Sequence, residues 1–160
     1  MTKEIKLTQG KVALVDDEDF EYLNQWKWYA QKTRHHWYAA RRGSRIIAPR
    51  PIYYMHKEII KDADLVDHKD GNGLNNTRKN LRAATRKQNV HNSRCRGSIG
   101  YKGVVKVPKL VTNPYRSGIM FDGKFVSFGF FPTEKQAAQA WNDNVGKYHG
   151  EFAVYNVIVP

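Results

Sequence analysis

Apolar and polar residues alternate through residues 5–15 (IKLTQGKVALV), with Gln9-Gly10 at the centre, which predicts two short strands around a turn. The carboxylates Asp16-Asp17-Glu18-Asp19 follow and open a short helix carrying Phe20, Leu23 and Trp26. Acids suit the positive end of a helix dipole, so this run reads as structural. From Trp26 to Tyr54, seven rings (Trp26, Trp28, Tyr29, Trp37, Tyr38, Tyr53, Tyr54) are interleaved with Arg and Lys. This predicts two or three strands, with rings serving sheet core more than base stacking, and with Arg41, Arg42, Arg45 and Arg50 placed to meet phosphate. Met55, Ile59 and Ile60 share a helical face, predicting a short helix from Met55 to Ala63 with His56 near its start.

Leu65-Val66-Asp67 runs from apolar to acidic like the end of a strand, and Asp70-Gly71-Asn72-Gly73 is turn chemistry. Asn80-Leu81-Arg82-Ala83 reads as a second short strand, and Thr85 with Gln88 forms a capping box that opens a helix near Arg86. Residues 94–100 (RCRGSIG) lack apolar periodicity and read as a linker. Beyond it, strand-like runs at 101–107, 115–121 and 124–130 are separated by Asn113-Pro114 and by the hairpin dipeptide Asp122-Gly123. Thr133 and Gln136 cap a helix on which Ala137, Trp141, Val145 and Tyr148 recur, with Gly150 at its C-cap. The chain reads as α+β in two domains, residues 1–96 and 97–160.

Charge sharpens this picture. The 160 residues carry a net charge of +12, which favours a polyanionic partner. No apolar stretch approaches the roughly 20 residues that cross a bilayer, and no apolar run follows Met1-Thr2-Lys3-Glu4, so neither a membrane span nor a signal peptide is expected. Nucleic acid is therefore preferred to membrane. Cys95 is the one cysteine; it excludes an internal disulfide and a multi-cysteine zinc site, reads as a bystander thiol, and places the chain in a reducing cytoplasm. Residues 1–98 hold 20 basic and 11 acidic side chains, residues 99–160 only 7 and 4. The densest cluster, Arg78, Lys79, Arg82, Arg86, Lys87, Arg94 and Arg96, has no acid within its span. A solvated helix face usually mixes signs, so this pattern fits phosphate.

The segment LVDHKDGNGLNNTRKNLRAATRKQNVHN combines Asp67-His68, Asn80 and Asn89 in the order strand, loop, strand, helix. Over about residues 50–95 it resembles the phage-type HNH homing endonucleases, whose ββα-metal fold holds one divalent ion. The resemblance implies that Asp67 and Asn89 bind the metal, that His68 is the general base, and that Asn80 is the middle asparagine that pins the loop. Many members carry a second histidine where Asn89 stands; His91 and Asn92, two and three residues on, are alternatives for a shared or replaced ligand. The chemistry is consistent. Histidine, with an ordinary pKa of ~6.5, takes a proton from water at neutral pH. Oxygen ligands favour Mg2+ or Mn2+ over zinc. Adjacent strand residues point opposite ways, so Asp67 and His68 cooperate only where the strand bends, which the glycine-rich turn permits. Asn80 is expected to bond backbone across the loop and fix the His68 ring. His56 reads as a helix-start or core residue, and His35, His36 and His149 as solvent-exposed.

Residues 101–156 resemble the plant APETALA or ethylene-response-factor DNA-binding domain. The resemblance rests on Tyr101-Lys102-Gly103-Val104, Phe128-Gly129-Phe130-Phe131, the helix with Ala137-Ala138 and Trp141, and the closing Gly150 to Asn156. It implies a three-stranded antiparallel sheet in the major groove with one helix behind. Lys102, Lys106 and Arg116 then fall on groove-facing strands, with lysines replacing several base-reading arginines of that family, and Lys124 meets phosphate. The expectation is a metal-dependent endonuclease of double-stranded DNA from a phage or bacterial mobile element, with Arg78, Arg82, Arg86, Lys87, Arg94, Arg96, Lys102, Lys106 and Arg116 on DNA. No protein partner is expected, and monomer and dimer both stay open. The competing readings are a DNA-binding regulator with a vestigial nuclease site and an RNA-directed protein.

Overall fold

In the computed structural model, which describes residues 1–92 and 100–159, the chain divides into two units, Met1–Arg86 and Lys87–Pro160. The expected linker lies outside the described residues except for Gly100, and so do Arg94, Cys95 and Arg96.

The first unit begins with a hairpin of β1 (Thr2–Lys6) and β2 (Val12–Asp16). Gln9 and Gly10 both take positive φ, 62° and 64°, which turns the chain tightly enough for Leu7 N–H to donate to Lys11 O at 2.8 Å. Strand alternation sends Ile5, Ala13 and Val15 to the buried face. The acidic run starts α1 (Asp17–Leu23), which buries Leu23 and also Asp19. The aromatic stretch forms an antiparallel sheet of β3 (Tyr29–Lys32), β4 (Trp37–Arg42) and β5 (Ile52–Tyr54) in that order. Helix α2 spans Met55–Ile59, shorter than expected. Lys57 explains the stop: its Nζ donates to the carbonyls of Ala63 and Asp64, folding the following residues back as a turn. Ile5, Val15, Leu23, Trp28, Met55, Ile59 and Leu81 share one core.

Two further strands, β6 (Leu65–His68) and β7 (Leu81–Ala84), pair antiparallel, followed by α3 (Arg86–His91). The long connection between β6 and β7 is fastened to the hairpin. Leu14 N–H donates to Leu74 O at 2.9 Å, and Asn76 N–H donates to Leu14 O at 2.8 Å, a short parallel bridge from Leu14 to Asn75. Arg78 adds a second anchor. Its N–H donates to Asp16 Oδ2 at 2.7 Å, and its guanidinium reaches Asp19 Oδ2 and Oδ1 at 2.8 and 2.7 Å and Glu18 at 2.8 Å. The acidic run therefore serves a partner about sixty residues away as well as its own helix dipole.

In the second unit β8 (Val104–Lys106), β9 (Tyr115–Phe121) and β10 (Lys124–Phe131) form a three-stranded antiparallel sheet with β9 in the middle. Asp122 and Gly123, at φ 47° and 77°, make the hairpin turn. Helix α4 (Glu134–His149) starts at Thr133, whose Oγ1 accepts from Gln136 N–H at 3.2 Å, and packs Ala137, Ala138, Trp141 and Val145 on the sheet. His149 corrects an expectation: it is buried, its ring 5.9 Å from that of Trp141, because 141, 145 and 149 lie on one i+4 row. Asn156 ties the segment after α4 to the residues before β8, its Oδ1 accepting from Lys102 N–H at 2.7 Å and its Nδ2 donating to Lys102 O at 3.0 Å.

Gly73 sits where the β6–β7 connection crosses β4: a Cβ there would lie 2.3 Å from Trp37 O and 2.6 Å from the Tyr38 ring. Backbone oxygen cannot yield cheaply. Gly73→Ala is expected to destabilise the protein by about 1–3 kcal/mol, measured by urea unfolding, whereas Ser44→Ala on an exposed loop stays within about 0.5 kcal/mol of wild type.

Candidate active site

Strand β6 ends in Asp67-His68. Register places Asp67 opposite Arg82 and His68 opposite Leu81. Neighbouring residues point to opposite faces, yet Asp67 and His68 are 4% and 6% exposed, so both faces of this two-stranded ladder are covered at its end. Cross-strand pairing brings Arg82 onto Asp67, whose Oδ2 accepts from Nε at 2.9 Å and from Nη2 at 2.8 Å. Both side chains of this pair are at least nine-tenths buried.

His68 Nε2 lies 3.3 Å from Oδ1 of the fully buried Asn76. Asn76 Nδ2 donates to Leu74 O at 3.2 Å, which makes Oδ1 the acceptor and Nε2–H the donor. In the neutral ring the basic nitrogen is then Nδ1. Burial pulls the His68 pKa below its ordinary value, against the Asn76 hydrogen bond and the Asp70 and Asp67 charges that raise it. The result favours a neutral imidazole at neutral pH.

Asn80 fastens the loop rather than the ring. Its Oδ1 accepts from Asp70 N–H at 3.1 Å, and its Nδ2 donates to Asp70 Oδ1 at 2.9 Å and to Asn75 O at 2.8 Å. Asp70 in turn accepts from Asn72 N–H and Asn75 Nδ2, both at 2.8 Å. Burial works to raise the Asp70 carboxyl, but these donors outweigh it and hold it below the usual carboxylate range. The contact to His68 falls instead to Asn76, a residue to which the resemblance gives no role.

His56 lies at the start of α2, as its sequence context predicts. Its ring centroid is 5.1 Å from that of His68, stacked on Tyr54 at 5.5 Å and edge-on to Tyr38 at 5.7 Å. Burial, then the charges of His68 and Lys57, lower its pKa to about 3, and its buried Nδ1 has no hydrogen-bond partner. No local signal reveals this; the position follows from α2 packing beside β4.

The expected phosphate-binding cations divide. Arg78 is engaged by Asp19 and Glu18, and Arg82 by Asp67. Arg86 is exposed at the start of α3. Lys87, in the second unit, pairs with Asp122 at 2.6 Å. Asn89 is exposed on α3, beyond the point where the chain divides. Among the described residues no group of three or more His, Cys, Asp or Glu gathers to hold a metal ion. Asp67 carries a carboxylate and Asn89 an amide oxygen, each a donor of the kind a hard divalent cation takes.

The second unit presents a different surface. Opposite α4, Arg116 pairs across the ladders with Val105 and Phe130, and Phe125 pairs with Met120. Val105, Met120, Phe125 and Phe130 are 52%, 58%, 45% and 45% exposed, and the Arg116 guanidinium lies 4.4 Å from the Phe125 ring. Lys106 is not on this face: it pairs with Tyr115, which packs with Val104, Ala137 and Ala138 on the helix side. Lys102 precedes β8, held through its backbone by Asn156.

Residues 53–91 match the family model described as HNH endonuclease. The chain is 34% identical over 151 residues to an uncharacterized HNH endonuclease of Acanthamoeba polyphaga mimivirus, an alignment covering 94% of this chain and 77% of the viral protein. No solved structure matches.

The His56 environment has a solvent-independent test. Folded His56 stays neutral down to about pH 3, whereas the unfolded side chain titrates near its ordinary 6.5. Between those values the unfolded chain binds more protons, so stability falls as pH drops from 6.5 towards 3. Urea unfolding at neutral pH and at about pH 5 is expected to show this loss, and His56→Phe to reduce it. Equal losses in both proteins contradict the assignment.

Proposed function

This chain belongs to the HNH endonuclease family and is a DNA-cleaving enzyme, and from that premise we propose that it hydrolyses double-stranded DNA with His68 as general base. The observation that carries the reading is the buried His68 ring, fixed by Asn76 through Nε2 and kept neutral by its surroundings. His68 Nδ1 takes the proton of a water that attacks phosphorus. The P–O bond to the 3′ oxygen breaks, and the products carry 5′-phosphate and 3′-hydroxyl. HNH nucleases generally depend on a divalent metal; Mg2+ or Mn2+ held by Asp67 and Asn89 would supply positive charge for the phosphate and the departing oxygen. Arg82 sets Asp67 in place, and Asn80 keeps the Asp70 turn closed behind His68.

We further propose a division of labour, nuclease through residue 96 and DNA reading from residue 97, although the chain's two compact units divide earlier, after Arg86. Arg116 and its apolar neighbours offer a sheet face to base edges, where Phe and Met suit thymine methyl groups and arginine suits guanine. Lys102 and Lys124 then meet phosphates, together with Arg86, Lys87, Arg94 and Arg96 from the cationic stretch, whereas Lys106, on the helix side of the sheet, is not assigned to this face. Arg78 and Arg82 act by bracing the loop and Asp67. The organisation is that of a homing-type endonuclease.

Supercoiled plasmid incubated with Mg2+ or Mn2+, with and without EDTA, tests the reading. His68→Ala is expected to lower cleavage by ~10²–10⁴-fold while leaving DNA affinity within a few fold. Loss of binding together with cleavage contradicts the assigned role, and no cleavage of bound DNA by the wild type supports a regulator. Asn76→Ala is expected to lower the cleavage rate ~10–100-fold, the usual cost of losing an orienting partner, with Kd unchanged.

A further inference from the structure

The sheet of β3, β4 and β5 carries a cleft of about 570 Å3 that the reaction above does not use. Its lining is Trp26, Lys27, Tyr29, Arg41, Arg42 and Arg50, four cations and no carboxylate. At this site Arg41 is clamped. Its guanidinium carbon lies 4.4 Å from the centroids of both the Trp26 and Tyr53 rings, and Nη2 donates to Glu58 Oε1 at 3.2 Å. Its Nε is buried and has no hydrogen-bond partner. Glu58 balances only the Arg41 charge, which leaves the exposed Lys27, Arg42 and Arg50 as net positive charge along the cleft. Arg50 is itself steadied by its Nε donating to Gly43 O at 2.6 Å.

Resting on the reading that duplex DNA is the substrate, we infer that this cleft binds the DNA phosphodiester backbone, as a second contact outside the segment that carries the nuclease motif. Its cations come from the stretch before β3, from β4 and from the loop before β5, so they spread along an open cleft. That arrangement follows a strand of successive phosphates, whereas a free phosphate is gripped by donors converging on one point. The aromatic flanks hold the guanidinium plane rigid and shield it from water, which strengthens its attraction for an anion.

The test uses the full chain carrying His68→Ala, so that binding is read without cleavage, and a fluorescently labelled duplex of arbitrary sequence across a salt series. Lys27→Glu with Arg42→Glu is expected to weaken binding about tenfold or more and to reduce the slope of log K against log salt by ~2, at roughly 0.9 per phosphate contact. The control reverses Lys135 and Lys147, two exposed lysines on α4, with the same change in net charge; it is expected to keep the parental slope. Unfolding of each variant by heat is compared with the parent, and Lys27→Ala with Arg42→Ala replaces the reversal if the latter is unstable. Equal slopes in cleft and control variants overturn the inference while leaving the nuclease reading intact. Inorganic phosphate that competes with DNA more strongly than chloride at equal ionic strength, in the parent but not the cleft variant, assigns the cleft to free phosphate and also overturns it. A parent that binds no duplex overturns the DNA reading itself.

Discussion

The candidate site depends on how residues 69–80 are held. A loop of that length has no ladder of its own, and His68 keeps its orientation only if Asn76 keeps its place. The hairpin supplies what the loop lacks. Leu14 exchanges two backbone hydrogen bonds with Leu74 and Asn76, and the acids of α1 grip Arg78. Each bond is worth roughly 1 kcal/mol, so their importance lies less in total stability than in fixing one conformation. Around this frame the inner network of Asp70, Asn72, Asn75 and Asn80 closes the turn.

The Asp67–Arg82 pair has a different character. It is buried, and a buried ion pair recovers its desolvation cost only when geometry is good. Two N–H donors on one carboxylate oxygen satisfy that condition. The pair also ties β6 to β7 at the register that aligns His68 with Leu81, so one interaction sets both charge and alignment.

Local chemistry made much of this legible in advance. Gln9-Gly10 and Asp122-Gly123 mark their turns because left-handed backbone suits few residues, and Thr133 with Gln136 marks the start of α4. The strand, loop, strand, helix order around Asp67 and His68 was readable for the same reason. What escaped was long-range or depended on register. Nothing near Asp19 announces Arg78, and nothing near His56 announces His68. Lys106 and Arg116 look alike as strand cations, but pairing sends them to opposite faces. His149 could have been placed, since it continues the row of Trp141 and Val145. The end of α2 could not, because it follows from Lys57 reaching forward to two carbonyls.

The Asn156 clasp has a bearing on how the second sheet can be joined to other chain. By gripping the backbone of Lys102 through both its N–H and its carbonyl, it brings the segment after α4 to the start of the three-stranded sheet, and Asn142 holds Asn156 from the helix by a further pair of bonds. A piece of chain whose ends meet can be spliced beside another gene product, or lifted away from it, without opening its own sheet. A new neighbour joined at the clasp would leave the three strands and α4 as they are.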